Sequence, residues 1–238
     1  MITRQHFPIS FHLVLGALAL SAAMGLAAAA SADTPATQPP QTDVSIIALQ
    51  PAPESMIPSA RPGFSGQFGV PVDAQSIRFL IDGHDVSSAA YVSRTEFIFA
   101  VPYDLSAQQH TAEIVGKAMN GAGFDKSWTF ATSASGTQNF LGDLIPASNT
   151  SIGPSFVVEG STLPNAHVRI AASPLGSDAV ALAAGDTTFT MDATAGPDGR
   201  FAAPITVAIA GPVIVRIVSI DPATMAGASA TLDLRGLN

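Results

Sequence analysis

From Val44 onward the apolar residues recur at every second position in short runs, the period of strands buried on one face. The first set comprises Val44–Leu49, stopped by Pro51 and Pro53, then Gly63–Phe68, then Ser76–Asp82 with Ile77, Phe79 and Ile81 on one face. Asp82-Gly83 marks a turn, and Ala90–Val92, Thr95–Val101, His110–Val115 and Lys126–Ala131 follow. Phe97, Phe99 and Val101 share one face of their strand, and Trp128 and Phe130 share one face of theirs. After a small polar connector, Thr132–Gln138, the rhythm restarts with Leu141–Ile145, Ser155–Gly160, His167–Ala172 and Thr187–Ala193. The turn Gly196-Pro197-Asp198-Gly199 leads into Phe201–Ile209, Val213–Ile220 and Ala228–Leu234. No stretch of this part holds a helical period, and each set contains about seven strands, the number a sandwich needs. The expected class is all-β, with two consecutive β-sandwich domains over residues 44–134 and 139–238. Val213–Val218 breaks the alternation. Its nearly continuous β-branched run predicts a central strand covered on both faces.

The segment before Val44 is of a different kind. Arg4 precedes an apolar run from about Leu13 to Ala30, and no acidic residue occurs before Asp33. Ala30-Ser31-Ala32 has the small-x-small form that signal peptidase accepts, so residues 1–32 read as a signal peptide cleaved after Ala32. The alternative is a retained anchor, since the run approaches the roughly 18 residues a spanning helix needs. Either reading leaves the rest of the chain outside the cytoplasm, secreted or periplasmic, with no membrane span after cleavage. Residues 33–43, DTPATQPPQTD, form a Pro/Thr-rich linker.

Charge and composition narrow the partners. The 238 residues carry a formal net charge of −8, and Lys117 and Lys126 are the only lysines. A nucleic-acid binder needs a cationic stripe, and none is present. The chain contains no cysteine, which removes disulfides, thiolate metal sites and cysteine nucleophiles. Two lysines are few for a protein with several sheet edges, because edge lysines block unwanted pairing. The expectation is that the protein packs against itself or against the cell envelope.

The ordered pieces Pro51, Pro53 and Pro58, Ile77–Gly83, Gln109-His110-Thr111-Ala112 and Ser127-Trp128-Thr129-Phe130 give the first domain a recognisable signature. It resembles the bacterial immunoglobulin-like domains of S-layer-associated and copper-resistance-type proteins. The second, with Val158–Ala166 and Pro197–Phe201, resembles bacterial immunoglobulin-like domains of the adhesin type. The resemblance implies the fold and says little about function.

It also raises copper binding, through a histidine at the mature N-terminus with further His and Asp ligands. Here no histidine lies between Asp33 and His84, and only His84, His110 and His167 remain after cleavage. Asp82, His84 and Asp85 sit in one turn and are of ligand type, but side chains so close in sequence need a distant ligand to hold an ion. Their plainer identity is turn capping. Asp192, Asp198 and Asp221 lack calcium-loop spacing and read as solvated turn residues. Sugar binding would have to use Tyr91 or Tyr103, because Trp128 sits on an apolar strand face and reads as core. No Gly-x-Ser-x-Gly, His-Glu-x-x-His or phosphate-binding loop occurs. No catalytic, cofactor or metal residue is therefore assigned. The sequence reads as a non-enzymatic, exported structural, adhesive or protein-binding module of the cell envelope. A surface-polysaccharide or metal-ion binder is the alternative.

Overall fold

Two aromatic- and aliphatic-rich sheet pairs account for the described residues from Val44 onward. The computed structural model describes residues 43–133, 138–174, 189–206 and 211–237. The expected signal peptide, most of the expected linker and the ends of two expected strands (Thr187, Thr188 and residues 207–209) lie outside the described residues. Residues 38–238 gather into one compact unit.

The first sandwich contains β1 (Ile46–Gln50), β2 (Met56–Ile57), β3 (Gly63–Phe68), β4 (Val72–Ile81), β5 (His84–Asp85), β6 (Ala90–Val92), β7 (Glu96–Ala100), β8 (Gln109–Ala118) and β9 (Gly123–Thr132). One sheet has the order β1-β3-β7-β6 and the other β2-β9-β8-β4-β5. The second sandwich contains β10 (Gly142–Ile145), β11 (Ser151–Ile152), β12 (Ser155–Ser161), β13 (His167–Pro174), β14 (Phe189–Thr194), β15 (Arg200–Thr206), β16 (Gly211–Ile220) and β17 (Gly227–Gly236). Its sheets run β10-β12-β15 and β11-β17-β16-β13-β14. In both sandwiches the chain leaves the first sheet at a proline and continues in the second as a two-residue strand. That short strand pairs in parallel with the last one, β2 with β9 and β11 with β17. This crossing, with Greek-key connections between two antiparallel layers, is the immunoglobulin-like arrangement. The chain is a tandem of such sandwiches.

The two-residue strands β2, β5 and β11 lie outside the sequence reading, because two residues carry no period. The reading also placed β4, β8 and β9 too short. The polar residues that extend them, such as Asp73, Gln75 and Lys117, face outward and hide the alternation.

The first core is aromatic. Phe64, Phe79, Phe97, Phe99 and Phe130 are fully buried, with ring centroids 4.8–5.1 Å apart for Phe79–Phe99, Phe64–Phe99 and Phe64–Phe130. Trp128 packs edge-on to Phe64 in the same core, as its strand face predicts. The second core is mainly aliphatic, built on Val158, Ile170, Ile205, Val215 and Ile217. One packing unit recurs in both. A Cβ on Gly66 or on Gly160 would stand 2.7 Å from Cζ of the phenylalanine ring across the strand pair, Phe97 or Phe201. Glycine at each site makes room for that ring and fixes the structural equivalence of the two sandwiches.

Candidate functional site

Strand parity builds a joint between the sandwiches. On β7, Phe97 and Phe99 point into the first core, so Glu96, Ile98 and Ala100 point out of it. On β16, Val213, Val215 and Ile217 point into the second core, so Ile214, Arg216, Val218 and Ile220 point out. These two outer faces meet. Tyr91, Ile98 and Ala100 of the first sandwich and Ala171, Val218 and Ile220 of the second form one buried cluster, with Met225 packed against it. The continuous β-branched run is thus covered on both faces, the second cover being the first sandwich.

Backbone contact closes the joint. Gly63 N–H donates to the Met225 carbonyl and Gly227 N–H to the Arg61 carbonyl, both at 2.7 Å, around a bridge between Pro62 and Ala226. A Cβ on Gly227 would lie 2.7 Å from the Ala100 Cβ and 2.9 Å from the Gly63 Cα. Only a residue without a side chain permits this approach.

A charged clamp flanks the apolar cluster. Arg169 donates twice to Asp192 (Nε to Oδ1 and Nη2 to Oδ2, 2.7 Å each) and once to Glu96 of the first sandwich (Nη1 to Oε1, 2.5 Å). Its guanidinium lies 5.7 Å from the Tyr91 ring centroid. The Arg169 hydrogen bonds hold the Asp192 carboxyl below the usual range against the opposing effect of burial. Burial, then the Glu96 charge, pushes the Tyr91 hydroxyl up. Arg216 makes a second tie, donating to the Ala90 carbonyl at 3.0 Å. Beside the connector, buried Asn139 Nδ2 donates to the Ser219 and Ala226 carbonyls, and its Oδ1 accepts from Thr162 Oγ1 at 2.8 Å.

Next to the clamp the two sandwiches diverge into an open groove of about 810 Å3, bordered by Gln50, Ser65 and Gln67 on one side and His167, Asp192 and Thr194 on the other. Arg169 already engages both Glu96 and Asp192, the other polar groups of the wall are amide, hydroxyl and imidazole, and Ala48, Ile98, Ile220 and Met225 add apolar surface between them. Such a wall can take a neutral chain that carries both polar and apolar groups.

The residues weighed from sequence fall as follows. Asp82 and Gly83 take positive φ in the β4–β5 turn. Asp82 accepts from Thr111 N–H (2.8 Å) and from His110 Nδ1 (2.7 Å). Burial raises the Asp82 carboxyl, but these hydrogen bonds outweigh it and leave it below the usual range. Asp85 accepts from Ser87 N–H at 2.8 Å, and His84 is exposed. His110 is buried, with Nε2 2.8 Å from the Ser106 carbonyl and 3.1 Å from Thr132 Oγ1. The Thr132 hydroxyl is itself buried and donates to that same carbonyl, so the Asp82–His110–Thr132 chain ties strand ends together. His84 and His110 lie in the first sandwich and His167 lies in the groove wall of the second. Among the described residues no group of three or more His, Cys, Asp or Glu is placed to hold a metal ion.

Two expectations need correction. Asp192 is exposed as expected, but it lies on strand β14, held by Arg169, rather than in a turn. Asp221, also read as solvated, is buried and caps its turn through Thr224 N–H at 3.1 Å. Asp198 does cap a turn, accepting from Arg200 N–H. Of the two tyrosines considered for a sugar, Tyr91 is buried in the joint and Tyr103 stays exposed. Sequence reasoning missed Glu96, Arg169, Gly63 and Gly227. One signal was available, because Ile98 makes Phe97–Val101 continuously apolar where alternation asks for a polar residue.

No family model matches the sequence, and no curated protein matches it. Solved structures similar to it include the N-terminal Ig1-2 module of the Drosophila receptor protein tyrosine phosphatase DLAR, at 12% identity over 82% of this chain and 99% of that one, TM-score 0.40. CopC from Methylosinus trichosporium OB3b aligns at 12% identity over 38% of this chain and 93% of that one, TM-score 0.33. The fibronectin(III)-like modules of Clostridium thermocellum CbhA align at 8% identity over 81% and 93%, TM-score 0.31. Among the described residues no helix is long and apolar enough to cross a membrane.

Proposed function

We propose that this chain is a non-enzymatic, exported scaffold of the cell envelope, whose two sandwiches present loops and sheet faces to a protein partner from a fixed mutual geometry. In this reading residues 1–32 are the export signal, residues 33–43 a spacer, and residues 44–134 and 139–238 the two sandwiches. The joint is the observation that carries it. Modules that only need tethering are joined by a polar linker and move freely. Here an apolar cluster, two backbone hydrogen bonds through glycines and the Arg169 clamp fix the angle between them. Fixed geometry serves presentation, because rigid layers hold their loops at set distances.

Two measurements test the reading. Tagged full-length chain should fractionate with the envelope or the medium, and deletion of residues 2–32 should leave it in the cytosol. In the cysteine-free chain, spin labels at Thr111→Cys and Thr231→Cys, both exposed, should give one narrow distance distribution. Cytosolic full-length protein would overturn the export half. A broad distance distribution would overturn the scaffold half.

A further inference from the structure

One backbone ladder occurs twice in the molecule, once in each sandwich. In the first, Glu54 N–H donates to the Thr129 carbonyl, Ala131 N–H to that of Ser55 and Ser133 N–H to that of Ile57, at 2.7–3.0 Å. In the second, Asn149 N–H donates to the Asp233 carbonyl, Arg235 N–H to that of Thr150 and Leu237 N–H to that of Ile152, at 2.6–3.0 Å. The order of donors and acceptors and their spacing along both strands are the same. Each ladder also opens on a residue in the left-handed conformation, Glu54 or Asn149. The two cores differ, one aromatic and one aliphatic, while the ladder is kept. We propose that the chain bears tension, and that these ladders are the two places where it resists.

Strand direction makes the ladder a device for this purpose. β2 and β9 run parallel, as do β11 and β17. The chain comes into each ladder at the start of the short strand and leaves it at the end of the last one. Tension between those two points drags the strands past each other along their length. The ladder bonds then share the load and must break together. In an antiparallel pair the two loaded points would lie at one end, and the bonds would open one at a time.

The neighbouring strands direct load onto the ladder. β1 and β10 precede it, and each lies at the edge of its sheet. Each also has a break in its pairing register, between Ile47 and Gln50 and between Gly142 and Ile145, around left-handed Ala48 or Asp143. Such an interrupted edge strand comes away first and passes the load to the ladder. On the far side β9 is paired with β8, and β17 with β16, along their lengths. The short ladder is therefore the link that fails.

Unfolding under force is governed by the unfolding barrier rather than by equilibrium stability. A few bonds that must break in one step lengthen the lifetime under load, even where they add little to the resting stability. The inference rests on the tandem fold, and it stands whether or not the chain is exported or meets a protein partner.

The chain has no cysteine, so cysteine pairs can place the attachment points for optical tweezers. Held through Asp43→Cys and Ser133→Cys, the full chain has its first ladder loaded in shear. Held through Asp43→Cys and Met119→Cys, on the exposed β8–β9 turn, it has the same ladder peeled from the Glu54–Thr129 end. At one constant force the sheared first sandwich should outlast the peeled one by at least about tenfold, since several bonds must break at once. Ala131→Pro removes one ladder donor, whose N–H faces β2 and not β8. It should shorten the sheared lifetime by about fivefold and leave the peeled lifetime within about twofold. Arg235→Pro should likewise shorten the sheared lifetime of the second sandwich, held through Phe140→Cys and Leu237→Cys, both exposed. Equal lifetimes for the sheared and peeled attachments would overturn the proposal, and that comparison needs neither proline variant to fold. A proline variant that folds and leaves its sheared lifetime unchanged would also overturn it.

Discussion

Gly227→Ala isolates the backbone part of the joint, since neither Gly227 nor Gly63 has a positive φ and strain does not enter. The added Cβ would stand 2.7 Å from the Ala100 Cβ and 2.9 Å from the Gly63 Cα and N. Carbon atoms rest at about 3.5–4.0 Å, so the two sandwiches must part by most of an ångström. All three obstacles are backbone or Cβ atoms and cannot rotate away. That movement stretches the two 2.7 Å bonds, Gly63 N–H to Met225 and Gly227 N–H to Arg61. Overpacking of this kind costs about 1–3 kcal/mol. Replacing glycine returns about 0.4–1 kcal/mol by restricting the unfolded chain. The expected net loss is about 1–1.5 kcal/mol, or about 2–6 °C in Tm for a unit of this size. Gly63→Ala tests the apolar part of the same joint. The atoms nearest its Cβ are Ile220 Cγ1, Cδ1 and Cγ2 at 2.6–3.0 Å, and since Ile220 is β-branched and buried no rotamer clears both Cγ atoms, so it should also cost about 1–3 kcal/mol. Urea unfolding followed by Trp128 fluorescence reports the first sandwich alone, while circular dichroism reports both. The two probes should coincide in the parent protein and separate in Gly227→Ala. The reasoning is refuted if Gly227→Ala stays within about 0.5 kcal/mol of the parent, or if the two probes still coincide in that variant.

Arg169→Met should destabilise by about 1–2 kcal/mol, because it leaves Glu96 and Asp192 without their shared cation beside Tyr91; a thermal melt checks this. The same variant should lose part of its acid sensitivity. The folded Asp192 carboxyl lies below its unfolded value, so its contribution is present above the ordinary aspartate value and disappears as pH falls through the folded one. Stability titrations from pH 6 to about 2 should therefore be flatter in Arg169→Met than in the parent. Asp82→Asn should flatten the same limb by the same sign, since His110 and Thr111 hold Asp82 below its ordinary value once burial is overcome. Asn139→Ala should cost about 0.5–1.5 kcal/mol in urea unfolding, because it removes the Asn139 hydrogen bonds to Thr162, Ser219 and the Ala226 carbonyl, while the Thr162 and Ser219 hydroxyls stay bonded to each other and the Ala226 carbonyl keeps Asp221 N–H.

The strands of both sandwiches were legible because a half-buried strand writes its burial into every second residue. Ile77, Phe79 and Ile81, or Phe97 and Phe99, declare an inward face without any knowledge of the partner sheet. The Asp82-Gly83 and Pro197-Asp198-Gly199 turns were legible for an equally local reason, their need for positive φ and short capping side chains. The Arg169–Asp192–Glu96 clamp was not. Glu96 lies 73 residues from Arg169, and nothing local to either residue names the other. The His110–Asp82 contact spans 28 residues and depends on β8 emerging beside the β4–β5 turn. Gly63 and Gly227 look like ordinary strand-end glycines until the other sandwich arrives.

The joint nevertheless left a trace, at the two places where alternation fails. A strand in a two-layer domain has one dry face and one wet face, and natural sequences keep the wet face polar because exposed aliphatic strands associate. Phe97–Val101 and Val213–Val218 break that rule, and β7 and β16 are two of the strands that meet across the joint. Continuous apolar runs therefore locate contacts between sandwiches, just as alternating ones locate cores.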